Sequence, residues 1–399
     1  MTRRAAVFAL VNATALVVAL STGAQIYYLI VLAMASMLAL SLISVLLALG
    51  TVKTSIRCPR RTAERGGTVP VVATVRHMGL LPVRSIALKL SLPDDAGSLT
   101  ALEMGALPFE TRRYEVSVAC PHRGMHLIGV TRASVTDVFN LFTFSKRISG
   151  SQFQVEVLPR VTELKPLALR SGDLGDRGLS RMTEDAASPA DVRQWLPGDA
   201  LKKVHWKLSM RKRELMVRTY EESARPDTLV LIDLYPLSSL KSHALTVEDA
   251  SCEAAASLIK AQLTAGYPVR MPLMSAQPTE LAAEDASGFG RFVQALTRVR
   301  FDSPFPFEQV MLLEMRRMQR TGGAVLVTPR LNARIVGLAM QMARGGMKVF
   351  VCWLSDSRRE EALSMLTRLN DMGVKAIRID PWGEGLTPEL MTQRVEYGT

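Results

Sequence analysis

Two apolar runs near the start of the chain, residues 5–20 and 26–49, contain no charged residue, and they limit the fold more than any other stretch. At 1.5 Å of rise per residue, a helix needs about 20 residues to cross the hydrocarbon layer of a bilayer. The second run has that length outright, and the first has it if the helix reaches through Gly23. The five uncharged residues 21–25 join them closely enough for a helical hairpin. A cleaved signal peptide is the competing reading of residues 1–23, because Arg3 and Arg4 precede an apolar core and small residues follow it. Against cleavage stands the immediate second run. Arg3 and Arg4 lie before the pair, and Lys53, Arg57, Arg60 and Arg61 lie after it. Basic flanks stay on the cytoplasmic side. The sequence therefore predicts a two-helix anchor over residues 1–50 in the inner (cytoplasmic) membrane, with the remaining domains in the cytoplasm.

The other 349 of the 399 residues are enough for two further domains. Cys58, Cys120, Cys252 and Cys352 lie far apart and form no C-x-x-C pair, so they read as isolated reduced thiols rather than a zinc site or a disulfide framework. The net charge of +12 invites a nucleic-acid reading, but its distribution argues otherwise. Residues 51–165 carry 16 basic and 9 acidic groups, whereas residues 228–399 carry 19 and 18. The excess sits beside the apolar runs. There it either follows the positive-inside rule or attracts anionic lipid, at roughly 1 kcal/mol per basic residue.

Residues 54–165 change to short β-like runs at 69–76, 83–92, 111–119, 125–135, 141–148 and 152–159, separated by turn residues such as Met78-Gly79 and His122-Arg123-Gly124. That spacing predicts a β-sandwich. Residues 166–227 form a linker and a separate segment. The glycine-rich part, 171–178, lacks the strand, the helix and the Gly-Lys-Ser ending of a phosphate loop. From residue 228 onward strands (228–234, 269–274, 324–328, 348–354, 374–379) alternate with helices (247–264, 288–299, 307–320, 331–343, 358–372), which predicts a mostly parallel α/β sheet. Gly266 and Gly373 stand where helix C-caps are expected.

Residues 192–222 concentrate turn, aromatic and charge signals, with eight basic and four acidic residues. Pro197-Gly198 makes a turn and Asp199 suits a helix N-cap. Leu201, Val204, His205 and Leu208 then follow the spacing of one buried helix face, and residues 215–222 alternate as a strand. Arg193, Trp195, Pro197, Gly198, Asp199, Lys203, Val204, Trp206, Lys207, Ser209 and Arg211 resemble the signature R-x-Y-x-P-G-D-x-x-R-x-I-x-W-K-x-S-A-R of the DUF58 family of membrane-associated proteins. His205, Arg218, Tyr220 and Glu221 extend the same segment. A second landmark, R-G-x-Y-x-x-G followed by D-P-F-G-L-F, resembles Arg123-Gly124, Gly129 and residues 137–142, with Val138 and Asn140 in place of proline and glycine.

The resemblance implies that the C-terminal region is von Willebrand factor A-like. In such domains the first strand ends in Asp-x-Ser-x-Ser and binds a divalent metal; here Asp233 is the one candidate ligand, and Tyr235 and Leu237 occupy the serine positions. Losing two oxygen ligands argues against Mg²⁺. His205 has no nucleophile motif with it and reads as a packed core histidine; His122 and His126 are separated by Gly124 and do not read as a metal pair. No catalytic residue and no cofactor is expected. Arg193, Arg211 and Arg218 suit pairing with Asp199, Glu221 and Glu222. The resemblance further implies a binding or adaptor protein working with a MoxR-type AAA+ ATPase in the assembly or maturation of a client, with a transglutaminase-like protein as a further partner and no nucleic acid. The alternative is an envelope-associated hydrolase with its domains outside the cytoplasm.

Overall fold

The computed structural model describes residues 3–91, 102–148, 152–167, 189–195, 204–220, 227–317, 321–355, 360–383 and 386. The chain divides into two units. The first comprises Met1–Arg160, Ser238–Glu253 and Val293–Val299; the second comprises Val161–Leu237, Ala254–Phe292 and Arg300–Thr399.

In the first unit, helices α1 (Arg3–Thr22) and α2 (Gln25–Thr51) are each long and apolar enough to cross a membrane. Gly23, at φ 69°, supplies the left-handed residue that turns one into the other. Helix α2 passes directly into strand β1 (Val52–Arg57), with the Val52 N–H still donating to Ala48 O. The strands β2 (Thr62–Glu64), β3 (Thr68–His77), β4 (Val83–Ser91), β5 (Leu102–Ala106), β6 (Thr111–Ala119), β7 (Gly124–Thr136), β8 (Thr143–Arg147) and β9 (Gln152–Leu158) follow.

They form a three-stranded sheet, β1-β3-β6, and a second sheet in the order β2-β9-β7-β4-β5, with β8 beside β7. Val69, Val71, Ala73 and Val75 of β3 point inward, as period-2 alternation dictates, and join Ile86, Leu88, Ile128, Val130, Val155 and Val157 in one core. Each buried valine, leucine or isoleucine contributes about 1.5–3 kcal/mol. The predicted strands correspond to β3, β4, β6, β7, β8 and β9, with ends moved by a few residues; β1, β2 and β5 are additional.

The second unit contains β10 (Pro189–Gln194), α3 (Trp206–Lys212), β11 (Met216–Tyr220), β12 (Asp227–Ile232), β13 (Val269–Leu273), β14 (Thr279–Ala283), α6 (Phe307–Arg317), β15 (Thr321–Thr328), α7 (Ala333–Arg344), β16 (Lys348–Leu354), α8 (Glu360–Asp371) and β17 (Lys375–Ile379). Helices α4 (Lys241–Thr264) and α5 (Phe289–Arg298) are shared, each divided between the two units along its length.

The six-stranded sheet runs β14-β13-β12-β15-β16-β17. β12 is parallel to β13 and β15, and β16 is parallel to β15 and β17. β14 alone runs antiparallel, on the edge, and lies outside the predicted strands. β12 and β16 are apolar runs buried almost end to end, as a sheet covered on both faces requires. Gly266 and Gly373 adopt φ 76° and 80°. Behind them Tyr267 N donates to Gln262 O, and Val374 N donates to Leu369 O, closing α4 and α8 as the sequence predicts.

Candidate functional site

The signature segment folds as a small two-stranded sheet carrying a helix. β10 and β11 pair antiparallel, with Arg193 opposite Val217 and Val192 opposite Arg218. Trp195 N donates to Leu215 O, prolonging the ladder. Pro197, Gly198, Asp199, Lys203, Glu221 and Glu222 lie outside the described residues, as do the side chains of Arg193, Arg218 and Tyr220.

The predicted helix face needs correction. Val204 and His205 precede the helix rather than belonging to it: Val204 bridges Val217, and His205 N donates to Met216 O, so both are tied to β11. The His205 imidazole is the N-cap of α3, its Nδ1 accepting from Leu208 N at 3.3 Å. Ser209, one of the signature positions, ties α3 to β11. It is buried, its hydroxyl lies 3.0 Å from His205 O, and it accepts the Met216 N–H at 2.9 Å. The helix ends at Arg213 in the left-handed region, φ 57°, and the chain returns into β11.

What α3 leaves outside is a mixed apolar and basic face. Trp206 is 59% exposed and Met210 80% exposed, and their i, i+4 spacing sets them side by side. Lys207, Arg211, Lys212 and Arg213 are exposed around them. A rigid aromatic, a flexible thioether and several cations on the two turns of α3 suit protein recognition.

At the end of β12, Asp233 is fully buried and both of its oxygens are engaged. Arg330 clasps it with a two-pronged pair, Nε to Oδ2 at 2.9 Å and Nη2 to Oδ1 at 2.7 Å. The Thr328 hydroxyl donates to Oδ2 at 2.8 Å, and Tyr235 N donates to Oδ1 at 3.2 Å, so Asp233 also caps the turn that follows it. Arg330 reaches the carbonyls of Tyr235 and Pro236 as well and lies 5.0 Å from the Tyr235 ring centroid. The cation at Asp233 is thus a guanidinium. Arg330 lies two residues past Thr328, the last residue of β15, and no sequence motif marked it.

A third polar group lies in the first unit. Asp249 on α4 receives Arg123 Nη1 at 2.6 Å, His122 Nδ1 at 2.7 Å and Arg65 Nε at 3.2 Å. Arg65 also pairs with Glu253 at 2.9 Å, and Arg123 donates to Leu296 O and Val299 O. His126 bonds the carbonyl of His122 and not its ring, so the two imidazoles do not converge. Burial raises the Glu248 carboxyl to about 7 against the pull of Arg123, and raises the Cys252 thiol to about 12. All four cysteines are free. Among the described residues no three His, Cys, Asp or Glu side chains gather as a metal site.

The landmark residues have local reasons. Gly124 adopts φ 127°, which an L side chain rarely takes. Asp137 accepts the N–H groups of Phe139, Leu141 and Phe142 at 2.7–2.9 Å. Asn140 stands at φ 58° where the family pattern has glycine, and asparagine tolerates that region better than most residues.

No curated protein matches the chain. Among solved structures, it is similar to the CARDB domain of the PF1109 protein from Pyrococcus furiosus, crystallised in complex with di-metal ions (16% identity, 27% of this chain and 91% of that chain, TM-score 0.19). It is also similar to the putative ApaA protein from Bordetella pertussis (17%, 27% and 92%, TM-score 0.17) and to Cwp6 from Clostridium difficile (11%, 82% and 49%, TM-score 0.18). None of these three scores is high enough for a shared fold to follow. Residues 191–363, which hold all but the first two residues of the β10–α3–β11 unit together with Asp233 and Arg330, match the model of DUF58, a protein family of unknown function, and so support the family to which the signature residues point.

Proposed function

We propose that this chain is a membrane-anchored binding or adaptor protein of the DUF58 type, which engages a MoxR-type AAA+ ATPase through its signature segment. In this reading α1 and α2 cross the cytoplasmic membrane and both units work on the cytoplasmic side. The strands that follow α2 form a β-sandwich, and the six-stranded sheet is a von Willebrand A-like domain whose metal has been replaced by Arg330. A transglutaminase-like protein is a further partner of the same assembly. The observation that carries the reading is the exposed Trp206–Met210 pair ringed by Lys207, Arg211 and Lys212. An aromatic anchor with basic neighbours fits an acidic, partly apolar groove on a partner. The engaged state of Asp233 supports the same choice, since its carboxylate is occupied by Arg330 and Thr328.

The test is capture of the purified ATPase by the full chain in detergent. Trp206→Ala and Arg211→Ala should each weaken capture about tenfold or more, the effect of losing an interface hot spot. Capture unchanged in both variants would remove the signature from the interface.

A further inference from the structure

The strand registers gather three turns of the first unit at the end where α2 enters it. Val52 pairs with His77, Arg76 with Thr111, Val83 with Ala106 and Ser85 with Thr136. The β3–β4, β5–β6 and β7–β8 turns therefore surround the C-terminal end of α2, and Met78 N donates to Thr51 O. Their tips are apolar and exposed: Leu80 (80%) and Leu81, Leu107 and Phe109 (67%), Val138 and Phe139 (45%). Phe109 holds φ 57°, so its ring is presented from a backbone conformation that disfavours bulky residues. At the opposite end the turn over residues 58–61 carries the exposed Arg60 and Arg61 instead, while the His122 and Arg123 side chains of the turn over 120–123 are buried against Asp249.

The β7–β8 turn is fixed against α2. The Ser41 hydroxyl donates to Asp137 Oδ2 at 2.6 Å, both residues being buried, and Asp137 holds the turn that bears Val138 and Phe139. Helix α2 has 27 residues, which corresponds to about 40 Å, close to the thickness of a bilayer with its headgroups. If the hydrocarbon layer takes about 20 residues from Gln25, it ends near Ser44. The Ser41–Asp137 bond then lies at the hydrocarbon edge, and Thr51, with the other two turns, lies at headgroup depth.

Behind the tips stand Lys53, Arg76 and Arg84, all exposed. Lys53 and Arg76 are direct cross-strand partners. Two cations facing each other in an antiparallel pair repel, and an anion between them relieves that.

We propose that this end of the first unit is a lipid-facing surface, seated in the interfacial layer of an anionic phospholipid bilayer, with Phe139 deepest and Leu80 and Phe109 among the headgroups. The proposal rests on α1 and α2 crossing the bilayer. Apolar tips backed by cations match the chemistry of that layer, where basic residues are drawn to anionic headgroups.

The experiment uses the full chain reconstituted in phosphatidylcholine vesicles with and without phosphatidylglycerol. In a Cys58→Ser background, whose three other cysteines are buried, an environment-sensitive fluorophore is placed singly by Ser36→Cys, Leu80→Cys, Phe109→Cys, Phe139→Cys and Arg60→Cys. Quenching by spin-labelled lipid should be strong at positions 36 and 139. At 80 and 109 it should exceed that at 60 by about twofold or more, and fall when phosphatidylglycerol is omitted. Quenching at 36 with positions 80, 109 and 139 no different from 60 would overturn the lipid-facing surface and leave the spans standing. Labels at 80, 109 and 139 shielded from both lipid and aqueous quenchers would assign the surface to a protein and overturn it too. No quenching at 36 would remove the spans and the proposal together.

Discussion

Asp233 and Arg330 are the pair in which one side chain decides most. The carboxylate is fully buried and makes four polar contacts, two of them with a single guanidinium. Arg330→Ala leaves a buried charge with no counterion, which costs about 3 kcal/mol by the usual penalty for breaking a buried pair. Urea unfolding of the detergent-solubilised chain should register it in the transition of the second unit. Arg330→Lys should recover only part, because an ammonium cannot bridge both oxygens. Asp233 itself was legible in the sequence, as a carboxylate at the end of a buried strand. Arg330 was not, since 97 residues separate it from its partner and only the parallel pairing of β12 with β15 brings them together. The replacement of glycine by Asn140 was visible as a departure, but its tolerance became clear only from the left-handed φ it adopts.

Within the elements, α3 shows how helical spacing can mislead. Val204, His205 and Leu208 have the spacing of a buried face, yet the first two are hydrogen-bonded to or bridged with β11 and the helix starts at Trp206. Propensity at two positions loses to a backbone ladder. The strands of the first unit were readable where valine and isoleucine alternate, as in β3; Thr279–Ala283, with glutamate and alanines, gave no such signal and still pairs as β14 because β13 offers it an edge. Ser209 is what holds α3 to β11. Ser209→Ala removes the acceptor of Met216 N–H and should cost about 1–2 kcal/mol locally. Hydrogen exchange at the Met216 amide should then quicken about tenfold, without a matching change in the β12–β17 sheet.

For the molecule as a whole, charge placement predicts a pH response. Burial lifts Glu248 from 4.5 to about 7 in the folded chain, opposed by Arg123 and His122 and reinforced by Asp249. Between those values the folded state keeps a proton that the unfolded state has released. Stability from this group is therefore complete below about 4.5 and is lost as pH rises to about 7. Glu248→Gln should match the parent in melting temperature near pH 4.5 and exceed it at pH 8, as thermal scans at the two pH values would show.

The first unit is also assembled from distant pieces of chain, and this sets an order of events during synthesis. Arg123 bonds Val299 across 176 residues and Asp249 across 126. At about 5–20 residues per second, a ribosome that has finished the β7 turn needs roughly ten to thirty-five seconds more before the last partner exists. During that interval α1 and α2 have already emerged, while the arginines beneath them still lack their carboxylates. On the proposed reading of α1 and α2 as spans, membrane insertion precedes completion of the first folded unit, and a nascent chain stopped near residue 160 would be anchored but unfinished.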